Sequence, residues 1–296
     1  MEGHAGREGS PGMIPAAFEY VRATSLDDAL ARLAAADGAA KIIAGGQSLL
    51  PLMKLRLARP ELLVDIGRLA ELRGVRRLPD GRVAVGALTT YDEMLSDEVL
   101  GHYGLLRDAL PNIGDVQVRN RGTIGGSIAH ADPASDMPAI LLALDAEVVA
   151  RSARHERTIP ITKFFEGAFS SALASDELIT EVRLPGGRDD VGSAYRAIEQ
   201  PASGYSIAGV AAVIGAHDGK RWNFCSIGIT GVGEHPYRAS AVENAILGGA
   251  SIPDAASRAT DGVNVASDIH ADGEYRTHVA TVQVRRALEA AAARLG

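Results

Sequence analysis

Cysteine is almost missing from this chain: 296 residues contain one, Cys225. A single thiol cannot close an internal disulfide, complete a four-cysteine zinc site or hold an iron–sulfur cluster, which usually takes four cysteines. The alternating run at 222–227 around it predicts a buried strand position and a structural thiol. A chain without disulfides suits a reducing compartment, so a cytoplasmic location is expected. Basic residues are not in excess either, with 30 Lys and Arg against 37 Asp and Glu and a net charge of -7. That balance argues against nucleic acid or an anionic membrane as the main partner. The densest basic group, Arg73, Arg76 and Arg77, is short and reads as a solvated face. Long apolar runs are lacking: the longest, at 208–216, is too short to span a bilayer, and no integral membrane segment is expected. Residues 1–12 are polar and glycine-rich, lack the apolar core of a secretory signal, and read as a disordered extension. The eight histidines show no His-Glu-x-x-His spacing, and no Ser, His and Asp constellation suggests hydrolysis.

What remains is ample apolar mass, 46% of the chain, patterned as strands and helices. A strand at 18–21 leads to a helix at 26–36, whose Leu26, Ala29, Leu30 and Leu33 form one stripe behind a Ser25 cap. A strand at 41–44, a helix at 49–57 and a strand at 61–66 complete a small αβ unit, 13–67. The next segment, 68–187, holds a strand at 82–88, a capping box at Thr90–Glu93 and a helix at 100–110. A further helix starts at Pro133, and strands follow at 147–151, 158–161 and 177–184. Pro185, Gly186 and Gly187 mark the candidate boundary. Beyond it, in 188–296, long alternating strands at 192–198, 206–216 and 222–230 precede three helices, the last at 275–295. Strands followed by helices indicate an α+β domain with helices on one sheet face, and the whole reads as a two-lobed α+β protein.

Two double-glycine turns carry the chemistry. The first is Ala44, Gly45, Gly46, Gln47 and Ser48, followed by Leu49 at a helix start. The second is Thr123, Ile124, Gly125, Gly126 and Ser127. Each is read as following a β-like run. Adjacent glycines let backbone approach a ligand and turn N–H groups towards an anion, and a helix start adds free donors. The hydroxyls of Ser48, Thr123 and Ser127 can join them. Neither turn matches the Rossmann or P-loop spacing, so from spacing alone the reading is a phosphate-containing ligand or two plain tight turns.

The segments Ala44-Gly-Gly-Gln-Ser-Leu-Leu-Pro-Leu-Met53 and Arg121-Gly-Thr-Ile-Gly-Gly-Ser127 resemble the paired FAD signatures of the molybdenum hydroxylase flavoprotein family. That family includes the medium subunit of aerobic carbon monoxide dehydrogenase and the flavin domain of xanthine dehydrogenase. Further resemblance runs through Asp132-Pro-Ala-Ser-Asp136, the run from Glu177 to Pro185, Pro201-Ala-Ser-Gly-Tyr205 and the closing segment from Tyr275 to Leu288. It implies a vanillyl-alcohol-oxidase-like (PCMH-type) FAD-binding fold, with a carbon monoxide dehydrogenase flavoprotein-type C-terminal domain. It also implies a non-covalent FAD whose pyrophosphate lies on Gly45 to Ser48 and Thr123 to Ser127. Asp136 would accept from the isoalloxazine N3–H, Tyr205 would lie near the ring, and Ile179 or Leu178 would be an apolar contact. The resemblance further implies a small [2Fe–2S] subunit and a large molybdopterin-bearing molybdenum subunit as partners, in a dimer of heterotrimers. Ser127 stands where several relatives have asparagine, and Gln47 occupies a variable position. The segment 196–201 lacks the basic run of xanthine dehydrogenase-like members, which leaves the electron acceptor open. The rival readings are a self-contained FAD oxidase or dehydrogenase and a non-enzymatic nucleotide-binding module. His130 and His155 are expected at the surface or at a cap.

Overall fold

The computed structural model describes residues 13–219 and 221–295. The expected extension at 1–12 lies outside them. The chain opens with β1 (Glu19–Arg22), α1 (Leu26–Ala35), β2 (Ala40–Ile43), α2 (Leu49–Lys54) and β3 (Leu62–Asp65). The strands form a parallel sheet in the order β1-β3-β2. Helix α1 starts where the Ser25 hydroxyl accepts from the Asp28 N–H, and its Leu26, Ala29, Leu30 and Leu33 are buried. The return bond of the cap goes to the Thr24 N–H instead of that of Ser25. Helix α2 stops at Lys54, shorter than the pattern suggested, because Arg56 takes a left-handed φ of 57° and turns the chain.

The middle segment contains β4 (Val75–Arg77), β5 (Val83–Gly86), α3 (Tyr91–Ser96), α4 (Gly104–Ala109), α5 (Val116–Arg121), α6 (Ile124–His130) and α7 (Asp136–Ala143). It continues with β6 (Glu147–Arg151), β7 (Glu156–Pro160), the hairpin β8 (Phe165–Gly167) and β9 (Ser170–Ser171), and β10 (Leu178–Leu184). Strand β10 crosses back between β5 and β6 to give the order β4-β5-β10-β6-β7. The Thr90 capping box at α3 is complete in both directions. The single helix expected at 100–110 is broken. Tyr103 is extended between a 3₁₀ turn at Leu100–His102 and α4, and a second 3₁₀ turn with Pro111 closes the run.

The second lobe is the antiparallel sheet of β11 (Val191–Glu199), β12 (Ser206–Gly215), β13 (Cys225–Thr230) and β14 (Tyr237–Arg238). Helices α8 (Ser240–Leu247), α9 (Ile252–Ala256) and α10 (Gly273–Ala292) follow it. Helix α10 packs on β11 and β12, and α7 of the first lobe packs on β12 and β13. All eight residues of α7 are consequently buried, and its apolar character all round follows from having partners on every side. Pro133 does not begin this helix. Its carbonyl accepts from the Gly231 N–H and the Thr230 hydroxyl, so the second lobe captures the chain before α7 starts at Asp136. Cys225 is buried, and burial pushes its thiol up to about 12, as befits an inert core residue.

Candidate functional site

Strand β2 lies at the edge of its sheet and runs directly into Ala44 and Gly45. Gly46 follows with φ 78°, a left-handed conformation that side chains with a Cβ resist. The N–H groups of residues 45–49 have no partner among the described residues. The Ser48 hydroxyl makes no capping bond either. Five consecutive backbone donors on residues that line one cleft are therefore unpaired, an arrangement that can hold an anionic oxygen cluster. Helix α2, at six residues, adds little dipole; the donors belong to the turn.

The second turn is built differently, which corrects the expectation that each turn follows a β-like run. It follows helix α5, not a strand, and its glycines lie inside the first turn of α6. Four of its five backbone donors, those of residues 124–127, are already used. The Ile124 N–H bonds Thr89 O at 3.1 Å, Gly125 bonds Ala87 O at 2.9 Å and Ser127 bonds Thr123 O at 3.0 Å. Gly126 bonds the Thr123 hydroxyl at 3.1 Å. These glycines are needed for closeness. A β-carbon on Gly125 would lie 2.5 Å from the Ala87 β-carbon, and one on Gly45 would overlap the Arg121 carbonyl. The two turns thus touch each other, and α6 is pressed against the end of β5.

Together they wall a cleft of about 990 Å³, at the upper end of the range for small-ligand and cofactor sites. Ala44, Gly45, Gly46, Gln47, Ser48 and Leu49 line it, as do Thr123, Gly125, Gly126, Ser127, Asp136, Leu178, Ile179 and Tyr205. Leu178 and Ile179 both reach it, next to a bulge that interrupts the alternation of β10. Ile124 is the exception among the expected residues: it is fully buried in the core beneath α6 and does not line the cleft. His155 is also elsewhere, bonded to Ser152 at 3.0 Å. His130, expected at a surface or cap, ends α6 and lines the cleft.

Asp136 opens α7 and is buried. Its Oδ1 accepts from the Tyr195 hydroxyl at 2.5 Å and the Ser206 hydroxyl at 2.6 Å, both from the second lobe. Its Oδ2 has no hydrogen-bond partner among the described residues. Burial pushes the carboxyl above the usual carboxylate range, with the Ser206 and Tyr195 hydrogen bonds opposing it. Burial and the neighbouring Asp136 raise the Tyr195 phenol well above its ordinary value, so it stays a neutral donor. Tyr205, next along from Ser206, is 42% exposed at the mouth of the cleft. Burial of part of its ring and the nearby Asp132 raise its phenol, and the Ser48 hydroxyl opposes them. The second lobe therefore reaches both the first glycine turn and the start of α7. Sequence reasoning missed Tyr195 and Ser206, because each occupies an ordinary strand position in an alternating run.

The donor set suits a dinucleotide such as FAD: a nest of N–H groups for phosphate, apolar walls for rings, and a buried acceptor at one end. The chain matches the family described as the FAD-binding domain in molybdopterin dehydrogenase over residues 16–187. It matches the carbon monoxide dehydrogenase flavoprotein C-terminal domain over residues 193–291. It is 38% identical over 287 residues to the carbon monoxide dehydrogenase medium chain of Hydrogenophaga pseudoflava, covering 95% of this chain and 99% of that one. It is also 38% identical over 282 residues to the glyceraldehyde dehydrogenase medium chain of Sulfolobus acidocaldarius, covering 94% and 99%. A solved structure of the Hydrogenophaga pseudoflava carbon monoxide dehydrogenase, in a form lacking the Mo-pyranopterin moiety of its cofactor, superposes with a TM-score of 0.91. The two are 39% identical, with 96% of this chain and all of that one covered. The chain belongs to the FAD-binding flavoprotein family of the molybdopterin dehydrogenases and is an FAD-containing oxidoreductase subunit.

Proposed function

We propose that this chain is the electron-transfer subunit of a cytoplasmic molybdenum hydroxylase complex. In this reading a large subunit oxidises the substrate at a molybdenum cofactor, and a small subunit relays the electrons through [2Fe–2S] clusters. This chain collects them and delivers them to an external acceptor, within a dimer of heterotrimers. Residues 13–187 would form the FAD domain, in subdomains 13–67 and 68–187, and residues 188–296 the flavoprotein C-terminal domain. Bound FAD supplies a centre that takes electrons singly or in pairs, and the protein places and tunes it.

The observation that carries the reading is the open N–H array of residues 45–49 at the base of the cleft. Those groups and the Ser48 hydroxyl would hold the pyrophosphate without any lysine. Thr123, Gly125, Gly126 and Ser127 would form the facing wall, with Gly126 allowing close approach. Asp136, through its open Oδ2, would accept a hydrogen bond from the ring, while Tyr195 and Ser206 fix its orientation. Tyr205 and Ile179 would bracket the flavin. The relatives named above act on different substrates at the same 38% identity, so similarity does not choose a substrate for the complex. With one cysteine, the chain cannot carry the clusters itself.

The isolated chain is expected to bind FAD and be reduced by dithionite. It should show no flavin bleaching with carbon monoxide, purines or N-heterocycles. Adding an iron–sulfur and a molybdenum subunit should restore substrate-dependent bleaching in stopped-flow absorbance. Rapid reduction of the lone chain by one of those substrates would favour a self-contained flavoenzyme instead.

A further inference from the structure

The turn between α6 and α7 brings together two strained residues. Ala131 is left-handed at φ 52°, and Phe169, at the tip of the β8–β9 hairpin, is left-handed at φ 55°. The Phe169 N–H donates to the Ala131 carbonyl at 3.0 Å, so the two positions hold each other. Non-glycine residues in this region are strained and persist where the surroundings over-determine them, often at functional sites. The consequence here is placement: with the reversal at Ala131 between them, His130 and Asp132 both line the cleft, 4.0 Å apart.

His130 is well shielded, with 19% of its side chain exposed, and its Nε2 stands 4.0 Å from Asp132 Oδ2. That is too long for a hydrogen bond. Neither ring nitrogen has a hydrogen-bond partner among the described residues, and the ring rests against Phe169 at 5.1 Å between centroids. Asp132 is the charged group acting on it; burial lowers the imidazole below its ordinary value, and Asp132 opposes this. The hairpin contributes only the uncharged Phe169 ring to this contact. From the second lobe Tyr205 comes near, its phenol sensing both Asp132 and Asp136. A shielded imidazole that lines a ligand cleft with neither nitrogen hydrogen-bonded is more than core packing requires.

We propose that His130, backed by Asp132, exchanges protons with the bound flavin. The inference rests on the electron-relay reading above. Electrons from iron–sulfur clusters arrive without protons, yet full reduction of a flavin consumes two electrons and two protons. Negative charge arriving in the cleft raises the imidazole, which draws a proton from water at the rim. An imidazolium N–H bond then breaks as a flavin N–H bond forms, and the second proton comes from solvent. When an electron-only acceptor removes the two electrons, one flavin proton returns to His130 and the other is released to solvent.

The test uses the full chain loaded with FAD. Histidine ring resonances are titrated by NMR in the oxidised and dithionite-reduced states, and the His130 midpoint is expected to rise on reduction. In stopped flow, reduced methyl viologen supplies electrons without protons. Wild type should show a solvent deuterium isotope effect and a pH profile with one ionisation that is absent from H130Q. H130Q should be at least tenfold slower, with the profile flattened, and added imidazole should restore the rate in H130A. An unmoved midpoint together with a wild-type rate and profile in H130Q would overturn the proposal. Loss of FAD from both H130Q and D132N would assign the pair to holding the cofactor and overturn it equally. A wild-type chain that binds no FAD would instead defeat the relay reading itself.

Discussion

The first and second double-glycine turns share a dipeptide and a cleft, yet they differ in what their backbone has left to offer. At Gly45 and Gly46 the chain leaves an edge strand, takes a positive φ and keeps five consecutive N–H groups open. At Gly125 and Gly126 the chain is already helical and every N–H is engaged with Thr89, Ala87 or Thr123. The first pair presents free donors to the cleft, whereas in the second Gly125 is packed against Ala87 and Gly126 offers the cleft a surface without a free N–H. Glycine pairs therefore mark close approach, and hydrogen-bond accounting decides whether a ligand or another piece of the protein is being approached.

The largest effect should come from the first turn. Gly46→Val puts a branched side chain at φ 78°, a strain of roughly 1–2 kcal/mol, and re-aims donors worth about 1.5–3 kcal/mol each to a charged acceptor. FAD affinity is expected to fall by on the order of 100-fold or more, measured as flavin per folded protein after dialysis. Gly125→Val should act on the fold instead. Its side chain meets Ala87 in a filled core, and overpacking of this kind costs about 1–3 kcal/mol in a urea or thermal melt. If the melts are unchanged and only FAD is lost, the division between the turns is wrong.

Asp136 gives a smaller effect that joins the two lobes. Asp136→Ala removes one charge-assisted acceptor and should retain FAD while shifting its midpoint potential by the equivalent of about 1–3 kcal/mol. Redox titration against wild type checks this. The carboxyl also predicts a pH dependence. It is raised in the folded protein, so the folded chain binds this proton more tightly than the unfolded one. Its stabilising share is complete below the unfolded value of about 3.9 and is lost as pH rises through the raised folded value. Relative to Asp136→Asn, wild type should therefore lose ground in urea melts as pH increases above about 4. Parallel curves would mean the carboxyl is not shifted. Smallest of all, Gly126→Ala meets only the Thr123 hydroxyl at 2.8 Å. A better helix residue gains about 1 kcal/mol and a disturbed cap loses about 1 kcal/mol, so stability should stay near wild type.

Much of the fold was legible because its cues are local. The stripe of α1, the Thr90 capping box and the alternating strands of the second lobe each announce themselves within a few residues. The errors arose where distant contacts rule. Helix α7 starts late because Thr230 and Gly231 hold the Pro133 carbonyl from nearly a hundred positions away. The second glycine turn is helical because Thr89 and Ala87 accept its donors. Most expected site residues share one cleft, since the motifs themselves form its walls. Ile124 was carried along by its neighbours although its side chain turns into the core. Tyr195, Ser206 and the Ala131–Phe169 contact were illegible, because nothing in an alternating strand or a loop marks which positions will meet across lobes.

The most direct test of the division between the turns is amide NMR of the chain as FAD is added. Hydrogen bonds to a pyrophosphate should move the N–H resonances of Gly45, Gly46, Gln47, Ser48 and Leu49 downfield, while those of Gly125 and Gly126 change little because their bonds are already made. Large downfield shifts at Gly125 and Gly126 with silent residues 45–49 would contradict the account.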